Sequence, residues 1–549
     1  MKQIMVRDNL ALLMERFPML GLLASSFPVE NQSKEDLSSW PPLPLECETL
    51  YVYGLSLDSY QKLSSWLHLS SARRLIFLEN REGVFGAFLQ DPKAALLLKD
   101  LQVDCRLLPK GKALESSLEA LAQKYPVREF DVISLPSRKG SYFRSLRLKL
   151  LRKTTLTEAI QMDRLHGYQL FFNFVRNAPF APRSFYVNAL KGAFANVPAV
   201  ICGAGPSLSE VFPTLEKLEN RALIFACGSA MAALSQVHIE PHFCVAVDPN
   251  REEFLRAKNC FAFSSPFLYS TRVHPDVFSA INGPFGFVRS QFGDVSQLWL
   301  EEELGLSDPL IGEKLSSESI SVTSMALAAA EWFGCNPIIF TGLDMAYTDN
   351  QRYSGAVGVQ ESSEEAKQMR KAVSDRVLIK KDRTGKKVRS AVRWVMESAS
   401  LSEYAKKHPH VRFVNATRGG IGFKGIDYAP LEKIALGFSE QYDLRGYLHA
   451  ACMGAPMPKI PVDQKLLELK ESLIRVIGHL KVLSGHTKGV AVLAELEMKE
   501  ELAFSVLFYD LFLLLPHWLR GRSLDDKWPL VLDLAQKYLA VMPLENRAT

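Results

Sequence analysis

Short apolar runs alternate with amphipathic stretches along most of the chain, an alternation that predicts β/α layering. A helix over about Asn9 to Leu23 and a Ser/Pro-rich connection, Ser38 to Pro44, precede it. Leu50–Tyr53 closes on Gly54, Ser59–Leu67 follows at helical spacing, Leu75–Leu78 closes on Glu79–Asn80, and Val103–Leu108 and Phe130–Leu135 supply two more strands. Residues 1–150 thus have a Rossmann-like rhythm without a G-x-G-x-x-G turn, and the expected role is a structural or partner-binding module.

From about Thr155 to Phe194 the pattern is helical, with Tyr168, Phe171, Phe172 and Phe174 as an aromatic stripe expected to pack between domains. A second series of strands follows: Ala199–Cys202, Ala222–Cys227, Phe243–Val247, Phe267–Ser270, Phe285–Val288, Pro337–Thr341 and Val411–Asn415. The chain between them is mostly helical by pattern, which implies a doubly wound, mostly parallel sheet covered on both faces. After about Leu436 only helical patterns remain (Gln464–Ser484, Gly489–Leu515, Leu524–Val541), without a repeat period. The expected division is a Rossmann-like domain over 1–150, a helical linker over 151–190, a central nucleotide-binding domain over 191–436 and a helical C-terminal domain over 437–549.

Composition narrows this little: 47% hydrophobic and 23% charged residues exclude a mostly disordered or fibrous chain. A net charge of +5 over 549 residues argues for no nucleic-acid partner. Eleven Lys/Arg do gather between Lys367 and Arg393, read as a solvated helix and then a hairpin around Lys381–Lys386, a run able to guide an acidic acceptor or nucleotide. The eight cysteines are scattered without a C-x-x-C pair, so reduced core thiols, no metal site and a cytoplasmic setting are expected. The most apolar stretch, Leu502 to Leu519, is interrupted by Asp510 and Pro516 and reads as a buried helix, with no membrane span.

The strongest chemical signal is Gly203-Ala204-Gly205-Pro206-Ser207-Leu208 after the strand Ala199–Cys202. The two glycines permit a sharp turn and close approach to a ligand, Pro206 suits a first helical position, and the N–H groups and Ser207 hydroxyl form an anion site for a phosphate. Leu208 replaces a third glycine, and the next strand ends in Cys227-Gly228-Ser229 with no acid, which argues against NAD or FAD and for another phosphate-bearing ligand. Asp248 and Asp344 stand at the C-terminal ends of two further strands and are expected to face one crevice. Arg272 and His274 follow Phe267–Ser270 as a phosphate or carboxylate partner and a proton relay. Ser321, Thr323 and Ser324 open an Ala-rich helix and offer a second anion or carbonyl site. Each acid and His has a plainer alternative as a cap, turn or core residue; His238 and His242 are given no ligand role.

Taken together these motifs resemble the domain shared by bacterial motility accessory factors and archaeal 6-hydroxymethylpterin diphosphokinase (the MptE-like domain). The resemblance covers about Lys191 to Leu436. It is carried by Gly203–Leu208, by Ile239-Glu240-Pro241-His242-Phe243 leading to Asp248-Pro249, and by Gly334-Cys335-Asn336-Pro337-Ile338-Ile339. Gly342-Leu343-Asp344-Met345-Ala346-Tyr347-Thr348, Tyr353 and Asn415-Ala416-Thr417-Arg418-Gly419-Gly420 complete it. Gly203–Leu208 and Ser321–Ala326 with Gly342–Asp344 also look like the CMP-binding stretches of bacterial sialyltransferases. His242 stands where the family usually has an acid, and Leu343 where Gln is common.

The resemblance implies an accessory-factor layout and a glycosyltransferase that moves a nonulosonic, sialic-acid-like sugar from a CMP-activated donor to Ser or Thr of a protein such as flagellin. In that scheme Gly203, Ala204, Gly205, Pro206 and Ser207 hold the phosphate, with Arg272 and Gly342 also on the nucleotide. Ser229, Ser321, Thr323 and Ser324 hold cytidine and ribose. Asp344 or His274 takes the acceptor proton, and Asp248 positions the sugar or ribose. No cofactor is implied. A diphosphokinase would instead need ATP and Mg2+, and a noncatalytic scaffold would bind a nucleotide without turnover.

Overall fold

Strands that read as unbroken apolar runs belong in the middle of a two-sided sheet, and here they lie there. The computed structural model describes residues 2–30, 35–40, 47–125, 129–165, 167–258, 260, 264–319, 321–357, 377–459, 461–485, 488–512 and 527–542. By contacts the chain divides into two compact units, Met1–Gln161 and Met162–Thr549. The architecture is mixed α/β with parallel sheets and a helical C-terminal region.

In the first unit, β1 (Thr49–Tyr53), β2 (Arg74–Glu79), β3 (Val103–Leu107) and β4 (Phe130–Ser134) form a parallel sheet in the order β3-β2-β1-β4. Side-chain alternation splits its core: Leu50, Val52, Leu75 and Phe77 pack on one face, Tyr51, Tyr53, Ile76 and Leu78 on the other. The order reverses between β1 and β4, where such sheets usually hold ligands. Beside that point the fully buried Glu79 accepts from the Leu55, Asn80 and Arg81 amides and from Arg138 Nη2 at 2.5 Å. The opening helix is two helices, Lys2–Arg16 and Pro18–Ala24, divided at Pro18, which starts the second one.

The second unit is built on β5 (Phe185–Tyr186), β6 (Ala199–Cys202), β7 (Leu223–Cys227), β8 (Phe243–Ala246), β9 (Phe267–Tyr269), β10 (Phe285–Phe287), β11 (Ile338–Thr341) and β14 (Phe413–Asn415). Among the described residues these form one parallel sheet in the order β14-β11-β6-β7-β8-β9-β10-β5. β12 (Val377–Lys381) and β13 (Lys387–Ala391) make the antiparallel hairpin expected around Lys381–Lys386; the helix expected before it falls on 358–376, outside the described residues. The helical reading of Thr155 to Phe194 fails after Asn177: Pro179 and Pro182 cannot continue an α-helix, and the chain passes through a 3₁₀ turn, Ala178–Arg183, into edge strand β5. The apolar run from Leu502 holds a π-helical turn, Phe504–Phe508, and its end from 513 lies outside the described residues.

Each face of the large sheet has its own apolar cluster. One holds helix Val322–Trp332. The other joins the sheet to helix Gly167–Asn177 and the C-terminal helices Val462–Ser484 and Lys527–Val541. There Tyr538 stacks on Tyr168 at 6.2 Å and packs on Phe171 at 4.9 Å, so the aromatic stripe serves this core.

Beneath the β9 end runs a buried polar chain. The Thr271 amide and hydroxyl donate to Gln297 Oε1 at 2.8 and 2.9 Å, Gln297 Nε2 donates to Glu301 Oε1 at 2.7 Å, and Arg289 pairs with Glu301 Oε2. Burial pushes the Glu301 carboxyl up from 4.5 to about 6 against the pull of Gln297 and Arg289. A carboxyl that binds its proton more tightly folded than unfolded stabilises the fold at low pH, and that stability fades as pH rises through 6. Wild type should therefore lose on the order of 2 kcal/mol from this group between pH 4.5 and 7, at 1.36 kcal/mol per unit. Urea unfolding at the two pH values should show that decrement reduced in Glu301→Gln.

Candidate functional site

The order of the large sheet reverses between β11 and β6, and the loops that follow these strands meet across that point. Their approach is close enough to require glycine. The Gly203 amide donates to Thr341 O at 2.9 Å and the Gly205 amide to Gly342 O at 2.8 Å. A Cβ on Gly203 would stand 2.6 Å from Gly342 O; one on Gly205 would stand 2.6 Å from both Gly342 O and Asp344 Oδ2. Gly342, at φ 63°, would press a Cβ to 2.3 Å from Gly203 O. These glycines thus serve contact between the two loops.

Asp344 is the centre of that contact. It is 2% exposed, and Ser207 gives it both its hydroxyl, to Oδ2, and its amide, at 3.3 Å to Oδ1. A third loop closes over it: the Ile421 amide donates to Asp344 O at 3.0 Å, and Gly420, at φ 75°, lies where a Cβ would fall 1.6 Å from that oxygen. Burial pushes the Asp344 carboxyl above the usual carboxylate range, while hydrogen bonds from Ser207 and Thr348 oppose the rise. Pro206–Val211 is a six-residue 3₁₀ segment, and its first amides are engaged, Ser207 with Asp344 and Leu208 with Gly205 O. Ala204 O accepts from the Ser354 amide at 2.8 Å.

The next strand end, after β7, carries a second group. Gly228 takes φ 50° and faces Glu253 Oε1 and Val322 Cγ1, each 3.5 Å from the place of its Cβ; Ser229 follows, buried. The hydroxyls of Ser321 and Ser324 both donate to Glu397 Oε1, at 2.5 and 2.6 Å, and Thr323 is buried beside them. Two of the three hydroxyls at this helix start thus converge on one buried carboxylate. Sequence reasoning missed Glu397 and Glu253, both under 5% exposed. The signal for Glu397 is an acid set among apolar and small residues from Val395 to Leu401.

Asp248, Arg272 and His274 form a third group at β8 and β9. The His274 amide donates to Asp248 O at 3.2 Å, and Asp248 Oδ1 accepts from Asn250 N and Nδ2. Burial lowers the His274 imidazole, with Asp276 acting against it. Asn173 Nδ2 donates to Pro249 O and Arg272 O at 2.9 and 2.8 Å, and Asn177 Nδ2 to Thr271 O and Val273 O at 2.9 and 2.6 Å. These two asparagines, one helical turn apart among the aromatics, were also unread in the sequence. Asp248 and Asp344 do not share one point of the crevice: β8 and β11 are three strand spacings apart, about 14 Å. His242 is a core residue, its Nδ1 accepting from the Ile224 amide at 3.0 Å while burial lowers its imidazole to about 3.

With the site in view, residues 172–350 match the family model described as 6-hydroxymethylpterin diphosphokinase MptE-like. The central region is similar to the MptE-like model over those residues, about a third of the chain. The match includes the glycine turn, the three groups' loops and Asp344, and ends before Glu397 and Gly420. A solved structure of a MAf glycosyltransferase from Magnetospirillum magneticum AMB-1 is similar over 99% of this chain and 96% of that one, at 14% identity and a TM-score of 0.48. Curated proteins give no match. Among the described residues, no group of three or more His, Cys, Asp or Glu is placed to hold a metal ion, and no helix is long and apolar enough to cross a membrane. All eight cysteines are buried and unbridged.

The close approach of the loops around Asp344 has a measurable cost when filled. Gly205→Ala should lower unfolding free energy by about 1–3 kcal/mol through overpacking, and Gly420→Ala by more. Gly192→Ala, also at positive φ but with nothing within 4 Å of its Cβ, should cost only about 1 kcal/mol of backbone strain. Denaturant titration of the three variants tests the order.

Proposed function

We propose that the chain is a glycosyltransferase that moves a nonulosonic, sialic-acid-like sugar from a CMP-activated donor to a Ser or Thr hydroxyl of a protein acceptor, flagellin being one such protein, in the cytoplasm. The observation that carries this reading is the set of buried carboxylates along the crevice: Asp344 at the glycine turn, Glu397 with Ser321 and Ser324, and Glu253 at Gly228. Carboxylates accept hydrogen bonds from ribose and sugar hydroxyls, and they repel a triphosphate unless cations intervene.

In this reading the donor phosphate lies at Gly203–Ser207, and cytidine and ribose extend along the edge toward Ser229, Thr323 and Glu397. The sugar then falls on the other side of the phosphate, beside Asp344. The bond from the anomeric carbon to the phosphate oxygen breaks, CMP leaves held at the turn, and the acceptor hydroxyl attacks the opposite face as its proton passes to Asp344. Its raised pKa makes that carboxylate a better base near neutral pH. Arg272 and His274 follow β9, four strand spacings from β11, and with Asp248, three spacings away, belong to the nucleoside end. No metal is required.

The description of the matched family favours a second reading, pyrophosphoryl transfer from ATP to a pterin with Mg2+. Calorimetry with CMP, CMP-sialic acid, ATP and a pterin, with and without Mg2+, separates the two. The first reading expects metal-independent CMP binding, weakened about tenfold in Glu397→Gln, the loss of one charged hydrogen bond. Mg2+-dependent ATP and pterin binding supports the second, and binding without turnover leaves a scaffold. Asp344→Asn should lower transfer at least 100-fold with CMP affinity held within threefold, and should remove the low-pH fall in rate; unchanged transfer removes Asp344 from the chemistry.

A further inference from the structure

Among the described residues the hairpin β12–β13 is a sheet of its own, joined to neither larger sheet. Its mounting is specific. The Tyr347 amide donates to Arg389 O at 2.9 Å, and the Ser390 hydroxyl donates to Met345 O at 2.7 Å, next to Asp344. At the turn the Arg383 amide donates to Gly420 O at 3.2 Å, on the loop that closes over Asp344, and the Arg383 guanidinium lies 3.6 Å from the centre of the Tyr428 ring. Asp382 Oδ1 takes the Thr384 and Lys386 amides, each at 2.9 Å, so the turn holds itself.

These bonds also tell which way the backbone of β12 points. In an antiparallel pair, residues bonded to each other alternate with residues whose N–H and C=O point outward. The Asp382 amide donates across the hairpin to Lys386 O, whereas Arg389 O is taken from outside, by Tyr347. Arg389 is opposite Ile379, so Val377, Ile379 and Lys381 turn their N–H and C=O to the outer edge of β12, where no described strand pairs with them. The same three residues present exposed side chains, Val377 at 40% and Ile379 at 64%. Lys381 is opposite Lys387, a like-charged pair that weakens a hairpin. From Val377 to Ala391 there are six cations and one acid, Asp382, whose Oδ1 is engaged in the turn. Among the described residues no acid pairs with Lys381, Lys386 or Lys387.

An open strand edge binds an extended chain through main-chain hydrogen bonds, and the side chains beside it choose which one. Lysines on the edge repel a second copy of the same strand. They attract a strand that carries acids, which also relieves the repulsion between Lys381 and Lys387. We infer that the outer edge of β12 docks an extended acidic segment of the acceptor protein as a third strand. The inference rests on the glycosyltransferase reading in calling that protein the acceptor: the turn at Arg383 is fixed to the Gly420 loop, so a segment lying on β12 is held beside the crevice of Asp344. The hairpin positions the acceptor and takes no part in bond breaking.

The test follows fluorescence anisotropy of a labelled peptide of alternating Glu and Thr on the full chain, against a Gln/Thr peptide, with thermal unfolding as the folding control. Two variants separate charge from edge. Lys381→Glu with Lys387→Glu reverses the charge and keeps a like-charged pair, and Ile379→Pro removes an outward N–H while leaving the bonds between the strands. The Glu/Thr peptide should bind wild type about tenfold more tightly than the Gln/Thr peptide, less tightly at high salt, and about tenfold more weakly in each variant. Hydrogen exchange over residues 377–381 should slow when it is bound. No binding of the Glu/Thr peptide overturns the proposal, and so does equal binding of the Gln/Thr peptide. Binding lost on charge reversal but unchanged in Ile379→Pro, with no slowing of exchange, also overturns it, because the strand edge is then unused. CMP binding in the same samples separates the two readings: CMP without peptide keeps the transferase and removes the docking edge, and peptide without CMP keeps the edge and removes the transferase.

Discussion

Two loops approach so closely at the reversal of the strand order that no side chain fits between them, and the rest of the sheet edge is arranged around that contact. Gly203 and Gly205 on one side and Gly342 on the other let backbone lie on backbone, and Asp344 fills the space this creates. Its oxygens take the Ser207 amide and hydroxyl, and its carbonyl takes the Ile421 amide, so one residue joins loops from β6, β11 and β14. Because the carboxyl is buried, its charge is costly, and the same burial that secures the loops raises its affinity for a proton.

Away from that point the edge is graded in charge. Carboxylates lie toward β7, where Glu253 faces Gly228 and Glu397 holds Ser321 and Ser324, and guanidinium groups lie beyond β11.

Strands and their parallel pairing were legible because buried strands read as continuous apolar runs bounded by turn residues, as Ala199–Cys202 and Ile338–Thr341 do. The glycine turn and Asp344 were legible as site residues, but not in their mutual contact, which depends on strand order, a long-range property. Asn173, Asn177 and Glu397 escaped notice for another reason. Each is a buried polar residue whose partners are main-chain carbonyls or hydroxyls far away in the sequence. Edge strand β5 escaped because two residues carry no period; only the prolines at 179 and 182 announced that the helix must stop.

Helix Gly167–Asn177 has two unlike sides. One presents Asn173 and Asn177 to the carbonyls of the loops that carry Asp248, Arg272 and His274; the other presents Tyr168 and Phe171 to Tyr538 of the last helix. Close-packed interiors carry displacement with little loss. The helix therefore ties the C-terminal segment to the main chain beside His274, so residues more than 260 positions apart in sequence are held by one eleven-residue element.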